Sequence, residues 1–161
     1  MAVDTHKLNN LILHLGASPH VSNLGKTKLW KLIYFIDAEF LREIGRSLTK
    51  SEYIKYDHGP VPSRGERNLK VLSRDGSIHV KPVDYGSYQQ HHITTIEDIE
   101  VGFTKEEKEI IDRICRKYGR STATHLSEIS HLEPSWANAT KMDKINPELM
   151  FYGYEEDQEG L

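Results

Sequence analysis

The sequence predicts an α+β fold, a mostly helical single domain carrying a small antiparallel β-hairpin. Two observations lead there. Apolar residues recur at helical spacing in two long N-terminal stretches and two shorter C-terminal ones. Between them, after the turn signal Asp75-Gly76, Ile78, Val80 and Val83 alternate with polar residues. At 161 residues the chain fits one domain, expected over residues 1–146, with an aromatic and then acidic tail over 147–161.

The first helix is expected over residues 4–15, where Leu8, Leu11, Ile12 and Leu15 share one face. Asp4 or Thr5 caps its start and Gly16 ends it. The second is expected over 26–44, with a broad apolar stripe from Leu29 and Leu32 to Phe40 and Leu41. Tyr53, Ile54 and Tyr56 read as a short strand. His58-Gly59-Pro60-Val61-Pro62 reads as a rigid break, since proline fixes its φ and lacks a donor. Pro62 is expected in the first turn of a third helix, 63–74. A hairpin follows, with a turn at 84–87 and a second strand over 88–94. Thr104-Lys105-Glu106-Glu107 is a capping box opening a helix that buries Ile110, Ile111, Ile114 and Cys115. Ser121 or Thr122 opens another, carrying Ala123, Leu126 and Ile129; Glu133-Pro134 interrupts it, and 135–139 adds a turn around Trp136.

Composition narrows the function classes. An apolar share of 37% with a net charge of only −3 describes a folded domain, because disorder combines few apolar residues with high net charge. The negative balance argues against nucleic acid as the main partner, since phosphate neutralisation needs a basic surface. Cys115 is the one cysteine, which excludes an intramolecular disulfide and suits a reducing compartment. Residues 1–10 carry no apolar signal core, and no apolar run is long enough to span a membrane. The expected location is the cytoplasm.

No catalytic signature is present: no GxSxG, no P-loop, no GxGxxG after a strand. The chain is therefore read as a non-enzyme with no cofactor. An enzyme with an unrecognised pocket would use some of His58, His125, His131, Glu128 and Glu133, with several of them converging in a deep cleft. The nine histidines lack zinc-site spacing, so no metal is expected. Lys26, Lys28 and Lys31 crowd the start of the second helix, where the macrodipole disfavours positive charge, and this points to an acidic surface met there. Tyr56, His58 and Arg64 lie on a loop suited to recognition. Residues 110–118, the turn Gly119-Arg120-Ser121 and residues 122–131 have the form of a helix-turn-helix, with the hairpin as a wing. A DNA-binding regulator of its own operon is thus the alternative reading. It is not favoured, because the second of these helices lacks arginine and lysine and carries Glu128.

Three motifs in order carry a resemblance. Lys28-Leu29-Trp30-Lys31-Leu32-Ile33-Tyr34-Phe35 resembles the aromatic helix of the Panacea domain, or SocA-like antitoxin, family. Tyr56-Asp57-His58-Gly59-Pro60-Val61 is similar to its Gly-Pro-Val turn, with Tyr56 where the family commonly has tryptophan and His58 where it has tyrosine. Leu126-Ser127-Glu128-Ile129-Ser130-His131, followed by Pro134 and Trp136, resembles its ending, with Ser130 in place of threonine. The resemblance implies a prokaryotic or phage-borne antitoxin that neutralises a cognate toxin, the product of an adjacent gene, by direct binding. Partner-binding candidates are Trp30, Lys31, Tyr34, Tyr56, His58, Gly59, Pro60, Arg64, His131 and Trp136. Of these, Trp30, Tyr34 and His58, with residues 150–154, are expected to be exposed anchors.

Overall fold

The computed structural model describes residues 4–96 and 102–152. Asp4 caps α1 (Thr5–Ala17) by accepting from the Lys7 backbone, and Leu8, Leu11, Ile12 and Leu15 are buried as their spacing requires. The central element is α2 (Lys26–Ile44). Every residue from 28 to 38 is buried, because α1, β2 (Gly59–Pro62), α4 (Lys105–Tyr118) and α5 (Ala123–His131) all pack on it. A helix enclosed this way is usually apolar all round. Here Lys28, Lys31, Tyr34 and Asp37 lie inside.

The segment read as a rigid break is a strand. β1 (Tyr53–Tyr56) and β2 form an antiparallel hairpin with a two-residue turn, Asp57-His58. The register pairs Tyr53 with Pro62 and Lys55 with Pro60. Ser63 N donates to Glu52 O on the alternate parity (2.8 Å), so both prolines occupy positions where no ladder N–H is needed. Pro62 therefore ends a strand and does not start a helix; α3 begins later, at Gly65, and runs to Arg74. The other edge of β1 is covered by residues 142–145, with Ile145 N bonded to Tyr53 O and Met142 N to Lys55 O (both 2.8 Å).

The second hairpin, β3 (Ile78–Asp84) and β4 (Gln89–Thr95), is present as the alternation predicts. Its base is tied down: Ile78 and Ile93 are buried, Ile93 N donates to Leu24 O (2.7 Å) and Thr95 Oγ1 to Leu13 O (2.6 Å). Its tip projects. The capping box of α4 forms with both reciprocal bonds, and Ile110, Ile111, Ile114 and Cys115 face the core. α5 is capped by Thr122, and α6 (Pro134–Ala137) follows with proline in its first turn. A short 3₁₀ helix, Pro147–Phe151, buries Met150; Tyr154 and the acidic end of the chain lie outside the described residues. Among the described residues no helix is long and apolar enough to cross a membrane.

Candidate functional site

The three motif segments, up to a hundred positions apart in sequence, meet at one junction. α2 supplies Lys31 and Tyr34, the β1–β2 hairpin supplies Gly59, and the α5–α6 corner supplies Ser130, His131, Ser135 and Trp136. Gly59 has φ of +129°, a conformation open to glycine and strained for other residues. A Cβ there would lie 2.6 Å from Ser130 Oγ and 3.0 Å from Lys31 Nζ. Glycine thus lets the hairpin, α2 and α5 close on one another. Tyr34 Oη and Ser135 Oγ share a short buried hydrogen bond that ties α2 to α6. Burial pushes the Tyr34 hydroxyl pKa well up, with the Glu133 carboxylate adding to it.

Trp136 is clamped on both faces. The His131 ring stacks on it, centroids 3.9 Å apart, and Lys55 Nζ sits 3.8 Å from its centroid on a cation–π contact. Its indole N–H donates to Tyr56 O at 3.4 Å. One residue thereby joins α5, α6 and β1. Nearby, Arg42 bonds the buried Glu133 carboxylate (3.3 Å).

Three residues expected as exposed anchors, Trp30, Tyr34 and Met150, are buried. Trp30 is 6% and Tyr34 0% accessible. The first turn of α3 lies on the Trp30 indole, where a Cβ at Gly65 would approach Cζ3 to 2.8 Å. Tyr34 is enclosed by Phe35 and Tyr53, each edge-on to it. Lys31, expected at a partner surface, is 1% accessible. Lys28, from the same cluster, is buried and donates to Ser22 O (2.6 Å) and Gly119 O (2.5 Å), which fastens the 18–25 loop to the end of α4. Desolvation lowers both lysine pKa values to about 8. Pro60 is buried; Tyr56, His58 and Arg64 are exposed; His131 and Trp136 are half-buried.

Above the junction opens a groove of about 940 Å³. The loop before α2 forms one wall, the start of α5 a second, and the tip of the β3–β4 hairpin a third. His58 and His131 line it with Glu128, while Glu133 is turned to Arg42 and His125 is absent from its walls. Tyr85 and Tyr88, from the hairpin tip, stand at its rim, 42% and 56% exposed and stacked at 5.3 Å. The turn holding them is built by Tyr85 N bonding to Tyr88 O (2.9 Å) and Gly86 N to Asp84 Oδ1 (2.8 Å). Sequence reasoning treated this turn as a connection only. The signal available was a pair of tyrosines at the tip of a polar hairpin with no apolar partner to pack on.

The groove is lined by the cations Lys26, Lys28 and Arg120 and the imidazoles of His58, His91 and His131, against the one carboxylate of Glu128. The N-terminus of α5 adds the positive end of its dipole, since Ser121 to Thr124 also line the wall. The buried thiol of Cys115, pushed up to about 12 by burial, lies elsewhere in the core. Among the described residues no group of three or more His, Cys, Asp or Glu is placed to hold a metal.

No curated protein and no solved structure matches the chain. One family model does, over residues 29–137, about two-thirds of the sequence and the span that contains all three converging motifs but for Lys28. The chain belongs to the antitoxin SocA-like, Panacea domain family.

Proposed function

We propose that the protein is a non-catalytic antitoxin that neutralises a cognate toxin by binding it directly through the groove between the β3–β4 hairpin and α5. The observation that carries this reading is the groove itself, which opens beside the motif junction and is rimmed by two exposed, stacked tyrosines in a chain of an antitoxin family. Exposed aromatic side chains with little internal packing are the usual anchors of a protein interface. A docked partner that also covers the flanking loops would bury roughly 1,200–2,000 Å² in total. The motif residues below the groove support its shape: Gly59, Tyr34 and Trp136 hold α2, the β1–β2 hairpin and the α5–α6 corner together.

The DNA-binding alternative has less support. Leu126 and Ile129 of α5 are buried in the core, and the polar face of the helix closes the groove wall with Ser127 and Glu128. That face offers no lysine or arginine to a phosphate.

The test is co-expression with the product of the adjacent gene. The expected result is that the neighbour arrests growth alone, that this chain restores growth, and that the two co-purify. Restored growth without co-purification would contradict neutralisation by binding, and a harmless neighbour would remove the antitoxin reading.

A further inference from the structure

Lys31 is 1% accessible, and its ammonium group has no ion pair and no hydrogen bond among the described residues. Folding alone rarely leaves a lysine in that position, because a buried charge is normally paired. Its surroundings contain a second unsatisfied group. His131 Nε2 is buried without a hydrogen-bond partner. The two belong to one place: Lys31 Nζ and Ser130 Oγ crowd the same face of Gly59, and His58 and His131, the neighbours of Gly59 and Ser130, both line the groove. Thr27 and Ser127, one helical turn away on α2 and α5, line it too.

We propose that His131, which lines the groove, and Lys31, buried behind that lining, form a carboxylate-binding site that receives an Asp or Glu side chain from an acidic segment of the protein partner. This rests on the binding reading above and names what the groove selects. Lys31 Nζ donates to one carboxylate oxygen, and His131 Nε2 donates to the other once the imidazole takes up a proton on binding; an ion so placed gains strength from the low local dielectric. Lys31 already acts on His131 electrostatically: desolvation chiefly lowers the imidazole pKa, a hydrogen bond with the Asp57 backbone opposes this, and Lys31, His58 and Lys55 lower it further. An incoming anion favours protonation of the imidazole and with it the second hydrogen bond. Arg120, His91 and the N-terminus of α5 line the same groove and draw in further acidic residues. A protein segment is favoured over a nucleic acid, since Glu128 and a net charge of −3 oppose a continuous run of phosphates.

The experiment titrates the isotope-labelled full chain with a capped hexapeptide of alternating Asp and Glu, following the histidine ring signals by NMR. The matching Asn/Gln peptide and an oligothymidylate serve as comparisons. The acidic peptide is expected to shift the His131 and His58 rings saturably, with Kd on the order of 1 mM. The amide peptide should shift neither, and Lys31→Met should weaken binding about tenfold while its far-UV circular dichroism stays unchanged. Equal shifts with both peptides, no shift at all, or wild-type binding by a folded Lys31→Met protein would overturn the site. Tighter binding of the oligothymidylate would overturn it in favour of a nucleic acid. Should Lys31→Met not fold, the comparison of the two peptides on the wild-type chain decides by itself. Growth rescue is scored separately. A chain that rescues growth but ignores the acidic peptide keeps the antitoxin reading and loses this site; one that binds the peptide but rescues nothing does the reverse.

Discussion

At the junction of α2, β2 and α5, Lys31, Tyr34, Ser130 and Ser135 are all at most 1% accessible, whereas 42% of Tyr85 and 56% of Tyr88 face solvent at the tip of the β3–β4 hairpin. The junction is held by side-chain contacts between segments far apart in sequence. The hairpin tip is held by its own turn and by one tyrosine stacked on the other. The junction carries the residues that place the chain in its family, and it faces inward. The tip carries none of them, yet it offers the surface. In the proposed reading the motif residues build the scaffold, and the exposed tip above it meets the partner.

The comparison can be broken in stages. Gly59→Ala should have the largest effect, about 3 kcal/mol of lost stability in urea unfolding. A left-handed φ and overlap with Ser130 and Lys31 both act against a side chain there. A cost below about 0.5 kcal/mol, the range of surface changes, would show that the junction is not tightly closed. Trp136→Ala should cost about 2–3 kcal/mol, since it removes the His131 stack, the Lys55 cation–π contact and the bond to Tyr56 O together.

Lys31→Met should go the other way. Replacing an unpaired buried ammonium by an apolar chain of similar length should stabilise the free protein at neutral pH by about 1–2 kcal/mol. The sign follows from proton linkage. Folding lowers the Lys31 pKa from 10.5 to about 8, so its stabilising contribution is complete above 10.5 and is lost as pH falls through about 8. Wild-type stability should therefore rise between about pH 8 and 10.5, and Lys31→Met should rise less. Lys28, shifted in the same direction, keeps part of the slope. An unchanged slope would mean that Lys31 is solvated in the folded state.

The smallest effect on folding belongs to the tip. Tyr85→Ala with Tyr88→Ala should change stability by less than about 0.5 kcal/mol. The same pair should weaken partner binding at least tenfold, about 1.4 kcal/mol, in a calorimetric titration. Loss of stability with intact binding would reverse the roles assigned to the two regions.

Much of the fold was legible because its helices obey one strong rule. The 3.6-residue period, the Thr104–Glu107 capping box and the Asp4 cap appear in the structure where the residues place them. The β1–β2 hairpin was not legible. Two prolines in five residues read as a break, and only the register shows that both sit where no ladder hydrogen bond is missing. The burial of Trp30, Lys31 and Tyr34 was hidden for another reason. Periodicity reports one apolar face, while α2 is enclosed by elements contributed from across the chain. The motif residues could be found by resemblance, but their meeting at Gly59 could not, because contact between positions 31, 59 and 130 is a property of the tertiary fold. Tyr85 and Tyr88 were visible as residues. Their stacking at the groove rim depends on the turn geometry at Gly86.

The measurement that tests the central claim most directly is hydrogen–deuterium exchange of the chain alone and bound to the product of the adjacent gene. The account predicts new protection in residues 22–28, 85–91 and 120–131, the three walls of the groove, with little change at the already buried centre of α2. Protection confined to other surfaces, with those three segments exchanging as in the free chain, would contradict it.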